Sequence, residues 1–240
     1  MKESEHVIVT TRPEAKNIPM VLPPGMTQIN IPLTRIVPLE VDSGDIENFS
    51  PDLFIFTSST GVQYFLSMAI SAKYRRSECI AIGEATASAL AEFSNNIMVP
   101  DRRDSSGVNE VISRNSFLDR RIALISSRQS NNVIRDFLSA NSFNFRSYQI
   151  YDAVPLYDQR LKEFASDPNV LGIMITSSQE ARIMAEILHP SEVTAPLYAV
   201  GNVTYHTMKK LGFSVEDEVG NSHIQELAER IIRKHSGEWI

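Results

Sequence analysis

Residues 52–67 read DLFIFTSSTGVQYFLS, and residues 171–188 read LGIMITSSQEARIMAEIL. Each is an apolar run that closes in Thr-Ser-Ser and leads into apolar residues at helical spacing. After a gap, the first leads to CIAIGEATASAL (79–90) and the second to LYAVGNVTYHTM (197–208), in both cases an apolar run followed by Gly-x-x-Thr. Thr57 and Thr176 stand 119 positions apart, Gly83 and Gly201 stand 118 apart, and so do Thr86 and Thr204. Two shorter echoes keep the spacing. HVIVTTRP (6–13) pairs with RIALISSRQ (121–129), placing Arg12 and Arg128 116 apart, and VPDRRDSSGVNEVI (99–112) pairs with VEDEVGNSHIQELAERI (215–231), with Val99 and Val215 also 116 apart. Four echoes in one order, at nearly one offset, argue for a duplicated domain.

Working outward from these repeats, short β-branched or aliphatic runs alternate with helix-length segments. Strands are expected at Val7–Thr10, Leu53–Phe56, Cys79–Ile82, Ile97–Pro100, Ile122–Ile125, Leu171–Ile175, Leu197–Val200 and Ser214–Asp217. Helices are expected at Gly61–Lys73, Glu84–Phe93, Val108–Arg114, Asn131–Ser139, Glu180–Leu188, Val203–Leu211 and Ile224–His235. Such alternation implies parallel sheets with helices on both faces. The expected fold is therefore α/β: two doubly wound, flavodoxin-like parallel-sheet domains. Glu14–Pro32 is poorly patterned, broken by Pro19, Pro23, Pro24 and Gly25, with a short extended piece at Gln28–Pro32. Leu33–Val41 is extended but contains Pro38, which a central strand tolerates badly, and Phe143–Leu156 reads as a long strand. Arg35–Glu40 and Tyr148–Pro155 lie at the borders of a repeat unit and would form a two-stranded connector. The expected division is 1–36 plus 154–240 for one domain and 37–153 for the other, with Val7–Thr10 placed in the C-terminal half.

Composition narrows the function. The chain has 240 residues, 42% of them apolar, enough for two cores, and a formal net charge of −6. A nucleic-acid binder would usually carry a basic stripe, and none is present. The start has no apolar segment behind a basic tip, and no run approaches the ~20 apolar residues a membrane helix needs. A soluble, cytoplasmic protein without membrane partners is expected. Cys79 is the single cysteine and reads as a small core residue. The five histidines have no metal-ligand spacing, so no metal site is expected. GxGxxG, GxxxxGK[ST] and GxSxG do not occur.

In open α/β sheets, ligands bind beyond the carboxyl ends of the strands. Arg12, Thr57, Ser58, Ser59, Gly83, Thr86, Arg128, Thr176, Ser177, Ser178, Gly201 and Thr204 all fall there. Hydroxyls and first-turn amides suit an anion, because those amides lack partners within the helix. Taken singly, each serine or threonine reads first as an N-cap, and Gly83 and Gly201 as residues of tight turns. The recurrence of the set in both halves favours a two-sided anion site. Tyr151 ends the strand leading into the second connector, where a cleft between domains would open. A tyrosine hydroxyl there can give a proton to a leaving group. An aromatic packed at a domain junction explains it as well.

At IVTTRP, DLFIFTSSTGV, AIGEATASAL, VPDRRDSSGVNEV, RIALISSRQSNNVIRDFL, IYDAVP, IMITSSQEA and AVGNVTYHTMKKLGF, the chain resembles the uroporphyrinogen-III synthase family. The pieces span nearly the whole chain in the family's order. Two departures stand out: the proline-rich Glu14–Pro32 replaces the usual helix after the first Arg-Pro, and Ser94-Asn95 stands where glycine often ends a helix. The resemblance implies two α/β domains on a two-stranded ladder, a monomer, and no cofactor. It implies closure of the linear tetrapyrrole hydroxymethylbilane to uroporphyrinogen III, with loss of water and inversion of ring D. Tyr151 would help the hydroxyl leave, and the hydroxyl and amide set would hold acetate and propionate arms. The alternative is a non-catalytic two-lobed binding or sensor module for a tetrapyrrole or other small anion, since two such lobes do not fix a function.

Overall fold

The computed structural model describes residues 6–115, 117–217, 219–220 and 223–236. Strand β1 (His6–Thr10) is followed by a 3-10 turn at Glu14–Lys16, then β2 (Met26–Asn30) and β3 (Thr34–Pro38). Next come α1 (Ser43–Phe49), β4 (Leu53–Phe56), α2 (Ser59–Ser67), a 3-10 stretch at Ala69–Tyr74, β5 (Glu78–Ala81) and α3 (Glu84–Leu90). They are followed by β6 (Ile97–Met98), α4 (Ser105–Arg114), β7 (Arg121–Ser127), α5 (Val133–Ala140) and β8 (Asn144–Pro155). The remainder is α6 (Arg160–Ala165), β9 (Val170–Ile175), α7 (Ser178–Ile187), a 3-10 turn at Pro190–Glu192, β10 (Leu197–Ala199), α8 (Asn202–Lys210) and α9 (Ile224–Ser236).

Among the described residues the fold is mixed α/β with two sheets. One has four strands in the order β10–β9–β1–β2, the other six in the order β3–β8–β7–β4–β5–β6. Strand β1 pairs in parallel with β2 and β9, and β10 with β9. In the larger sheet β4 pairs in parallel with β5 and β7, β5 with β6, and β7 with β8. The chain falls into two compact units, Met1–Ile36 with Val154–Ile240, and Val37–Ala153. It passes between them within β3 and within β8. Leu39 N–H donates to the Ile150 carbonyl and Leu156 N–H to the Leu33 carbonyl, so one index rises as the other falls and these strands run antiparallel.

Strand periodicity builds both cores. In the four-stranded sheet Val7, Val9, Ile173 and Ile175 face one layer, completed by Leu161 of α6, Met184 of α7 and Met208 of α8. The intervening Ile8, Met174 and Tyr198 face the other, completed by Leu227 and Ile231 of α9. In the larger sheet Leu53, Ile55, Ile122 and Leu124 meet Val108 and Ile112 of α4 and Ile134 and Leu138 of α5. The opposite face is aromatic. Phe54 lies 5.2 Å from Phe65 and from Tyr74 between ring centroids, and Phe65 lies 5.8 Å from Phe93. Cys79 is buried in this strand layer, and burial pushes its thiol up to about 12, which makes it a core residue without nucleophilic character.

Several local expectations change. Gly61–Lys73 is not one helix: Met68 turns extended at ψ 135, its N–H closing on Phe65, and a 3-10 stretch follows. Ser214–Asp217 joins no ladder among the described residues, although Glu216 N–H reaches the Leu197 carbonyl at 2.9 Å. The short helices α1 and α6 lie where no helix is expected from the pattern. Asp42 caps α1 by accepting from Gly44 N–H at 2.8 Å, and only Ile46 and Phe49 are buried from it. The extended piece within Glu14–Pro32 begins at Met26, two residues before the expected start.

Gly172, in the centre of β9, sets a packing limit. A Cβ there would lie 2.7 Å from Cε2 of the fully buried Tyr198. Gly172→Ala is expected to overpack this layer and cost about 1–3 kcal/mol. Thermal denaturation should record a lower midpoint for the variant; an unchanged midpoint would mean that the ring moves freely.

Candidate active site

Strand order fixes where a ligand can sit. From β4 the chain winds outward through β5 to β6, then returns to place β7 on the other side of β4. The carboxyl ends of β4 and β7 therefore flank a switch point, the position where open α/β sheets hold ligands. Thr57, Ser58 and Ser59 follow β4, while Ser127 and Arg128 end or follow β7.

Tyr151 is brought to the same place from β8. Ser126 pairs with Gln149 but Ser127 pairs with Tyr151, so the register slips by one residue and leaves Ile150 unmatched. Such a bulge re-aims the side chains beside it. The Tyr151 hydroxyl lies 2.8 Å from Ser58 Oγ, and the tyrosine is 6% exposed. Its ring stacks on Tyr64 of α2 with centroids 5.9 Å apart. Ser58 is the N-cap of α2 and its Oγ accepts from Gly61 N–H at 3.0 Å. A Cβ at Gly61 would meet Ser58 Oγ at 3.3 Å and Tyr151 Cε1 at 3.7 Å, so glycine leaves the serine and the tyrosine room to meet. The first-turn amides of Ser59 and Thr60 precede any possible i−4 partner in the helix and stay available to an anion.

The other expected residues of unit 37–153 divide by role. Thr57 Oγ1 donates to the Ile125 carbonyl at 3.3 Å and thereby ties β4 to β7. Arg128 N–H donates to the Tyr151 carbonyl at 2.9 Å, while its guanidinium meets the buried Asp152 carboxylate at 3.5 Å. Gln129 Nε2 donates to the same carboxylate at 3.1 Å. Arg128 thus anchors the backbone of Tyr151. Gly83 caps α3 with φ −173, an extended conformation open to any residue, so the tight-turn reading does not hold there. Gly201 caps α8 with φ −150 and is likewise extended. Neither cap makes a side-chain hydrogen bond. Thr86 and Thr204, each the third residue of its helix, are buried.

Below these ends, still within unit 37–153, lies a cavity of about 130 Å³ with Ile82, Leu124 and Ile134 among its apolar walls and Thr57, Ser126 and Arg135 among its polar ones.

The second unit gathers the corresponding positions around a carboxyl group that the sequence reading passes over. Glu180 of α7 is 2% exposed. Its Oε2 accepts from Thr11 Oγ1 at 2.6 Å and from Thr176 N–H at 3.0 Å, and Thr176 Oγ1 donates to the same carboxylate at 2.9 Å. Ser177 caps α7, accepting from Glu180 N–H at 3.2 Å, and Ser178 Oγ accepts from Thr207 at 3.1 Å. Glu180 therefore clamps the end of β1 to the end of β9. The sequence carried a signal for it, because Ser177-x-x-Glu180 is a capping-box spacing. Here the carboxylate turns to Thr11 and Thr176 in place of the cap backbone. Burial lowers the Arg12 guanidinium from its ordinary value, and Glu180 opposes that shift. Burial also lowers Lys16, and Arg12 adds to the effect.

Burial raises Glu180 above the ordinary 4.5 despite hydrogen bonds from Thr11, Thr176 and Ser177. A carboxyl group raised in the folded state contributes stability that is complete below its unfolded pKa and is lost as pH rises through the folded one. Glu180→Gln cannot ionise, so it should gain on the parent as pH rises from about 4 to about 7. Thermal midpoints of the two proteins over that range check this; a constant difference would contradict it.

The family described as uroporphyrinogen-III synthase HemD matches residues 24–224 of the chain. No curated protein matches. Solved structures share the fold, among them the two that follow. A mutant uroporphyrinogen III synthase from the extremely thermophilic bacterium Thermus thermophilus aligns at 15% identity and a TM-score of 0.60, covering 97% of this chain and 100% of its own. A uroporphyrinogen-III synthetase from Helicobacter pylori aligns at 14% identity and 0.64, covering 96% and 100%. Among the described residues no helix is long and apolar enough to cross a membrane.

Proposed function

The chain belongs to the uroporphyrinogen-III synthase family, and we propose that it closes hydroxymethylbilane to uroporphyrinogen III as a cyclising hydro-lyase, with Tyr151 as the proton donor. The observation that carries this reading is the 2.8 Å contact between Tyr151 and Ser58 at the switch point of unit 37–153.

Ser58 Oγ already accepts from Gly61 N–H, so its own proton is free to go to the Tyr151 oxygen. The phenol hydrogen then points at a ligand. Tyr151 gives that proton to the hydroxymethyl oxygen, water departs, and the tetrapyrrole is left as an azafulvene cation. The developing phenolate is supported by Ser58 and by the positive end of α2. The substituted α-carbon of ring D attacks the cation, and the resulting spiro intermediate fragments and recloses with ring D inverted. The proton lost at the final rearomatisation can return to Tyr151, so the sum is one substrate to one macrocycle plus water. No cofactor enters. The pyrroles are electron-rich, so holding the ends of the chain in reacting geometry supplies much of the rate.

Carboxylates of this substrate suit the uncapped amides after Gly83 and the Ser59 hydroxyl within unit 37–153; within the other unit, the amides after Gly201, the Ser178 hydroxyl and Arg12 offer the same chemistry. Thr57, Ser58, Arg128, Thr176 and Ser177 hold those loops in place, and Thr86 and Thr204 line the first turns behind the glycine caps. The two compact units are read as duplicated flavodoxin-like domains, 1–36 with 154–240 and 37–153. Supporting this, the order β2–β1–β9–β10 in one sheet matches β8–β7–β4–β5 in the other, and three of these pairs, β1 with β7, β9 with β4 and β10 with β5, coincide with the sequence echoes. A monomer in the cytoplasm completes the reading.

The test generates hydroxymethylbilane in place, oxidises the products and separates uroporphyrin I from III. Unassisted closure gives isomer I. Excess isomer III is expected with this protein, and isomer I alone from folded protein would leave only a binding module. Tyr151→Phe should lower kcat about tenfold, since geometry survives the loss of the acid; a folded variant with no turnover would show that the acid matters more.

A further inference from the structure

The cavity beneath the switch point is lined by an arginine that no ion pair among the described residues answers. Arg135, the third residue of α5, lines it together with Thr57, Ser105, Ser126, Ser130 and Asn131. Arg135 Nε is buried and has no hydrogen-bond partner among the described residues. Among the described residues no acidic side chain lines the cavity. The hydroxyl groups are largely committed to its walls: Thr57 donates to the Ile125 carbonyl at 3.3 Å, Ser105 to Asn131 Oδ1 at 3.2 Å, and Ser130 lies 3.0 Å from Ser127 Oγ. The donors left over are the guanidinium, the Ser126 hydroxyl and the Asn131 amide hydrogens. A buried donor without a partner is costly, and a native structure seldom leaves one without a reason.

We propose that this cavity is a binding site for one oxyanion of the carboxylate class, with Arg135 as its charge. A guanidinium matches a carboxylate geometrically as well as electrostatically. The cavity, about 130 Å³, is far larger than the ~10–15 Å³ that one water needs, so a carboxylate group fits with room for water. A neutral apolar group would leave Arg135 unpaired, and a cation would be repelled by it. That the oxyanion is a carboxylate arm of the linear tetrapyrrole rests on the function proposed above. A free carboxylate or phosphate offers Arg135 the same chemistry.

Two measurements on the full chain, made on the parent and on Arg135→Met, Arg135→Gln and Arg135→Lys, separate these sources. In the first, acetate or inorganic phosphate replaces chloride at constant ionic strength while the thermal midpoint is followed. The parent midpoint should rise saturably, Arg135→Lys should keep the response, and the Met and Gln variants should lose it. In the second, KM for hydroxymethylbilane should rise about ten- to a hundredfold in the Met and Gln variants, with kcat within about twofold of the parent. An anion response lost in the variants with KM unchanged supports the site and assigns it to a free anion. Anion responses alike in all four proteins, with KM also unchanged, would overturn the proposal. Should the parent form no isomer III, the function fails separately and the anion response alone decides the site. Arg135→Gln keeps a polar stem on the helix surface and serves if the methionine variant does not fold.

Discussion

The constraint on which the site in residues 37–153 depends is the parallel pairing of β4 with β7 on one side and β5 on the other. Phe56 pairs with Ile125 and with Ala81, so β4 and β5 end level with one another while β7 runs two residues further, to Ser127. A parallel sheet delivers every strand to the same edge, and the loops after the strands have nowhere else to go. The reversal of winding direction between β4 and β7 keeps helices from closing over the gap. Ser58, the first turn of α2 and the β7 end with Arg128 are near one another for that reason. The four-stranded sheet repeats the arrangement with β9 between β1 and β10, and Glu180 holds two of those ends together through Thr11 and Thr176.

Within that frame the hydroxyl groups serve position more than recognition. Ser58 and Ser177 are N-caps, and Thr57 and Thr176 are spent on a neighbouring carbonyl and a buried carboxylate. In the proposed function, contact with an anion would fall to first-turn backbone amides, at α2 and α3 within one unit and at α8 within the other. Under that proposal a net charge of −6 is no obstacle to a polyanionic substrate, because the positive ends of helices act only locally.

The sequence discloses the core strands well. Leu53–Phe56 and Leu171–Ile175 are unbroken apolar runs, and a strand covered on both faces needs such a run. It discloses short elements poorly. Helix α1 buries two side chains over seven residues, too little for a period to emerge, and Ser214–Asp217 has a strand's composition without a ladder. The loops after the strands are legible as places, but the contacts made in them are not. Ser58 and Tyr151 lie 93 positions apart, and their meeting depends on a one-residue slip at Ser126–Ser127 that leaves no trace in composition. Glu180 stood in a capping-box spacing and could have been found. Arg135 could not, since a single arginine beside Val133 and Ile134 reads as helix surface until the fold places its stem against a cavity.

The most direct test of the account asks whether Ser58 and Tyr151 act as one unit. A double-mutant cycle on kcat for isomer III formation, with Ser58→Ala, Tyr151→Phe and both together, answers it. If the serine works by supporting the tyrosine oxygen, the double variant turns over no more slowly than the slower single variant. If the two losses multiply, the hydroxyls act independently, and the 2.8 Å contact is packing rather than chemistry.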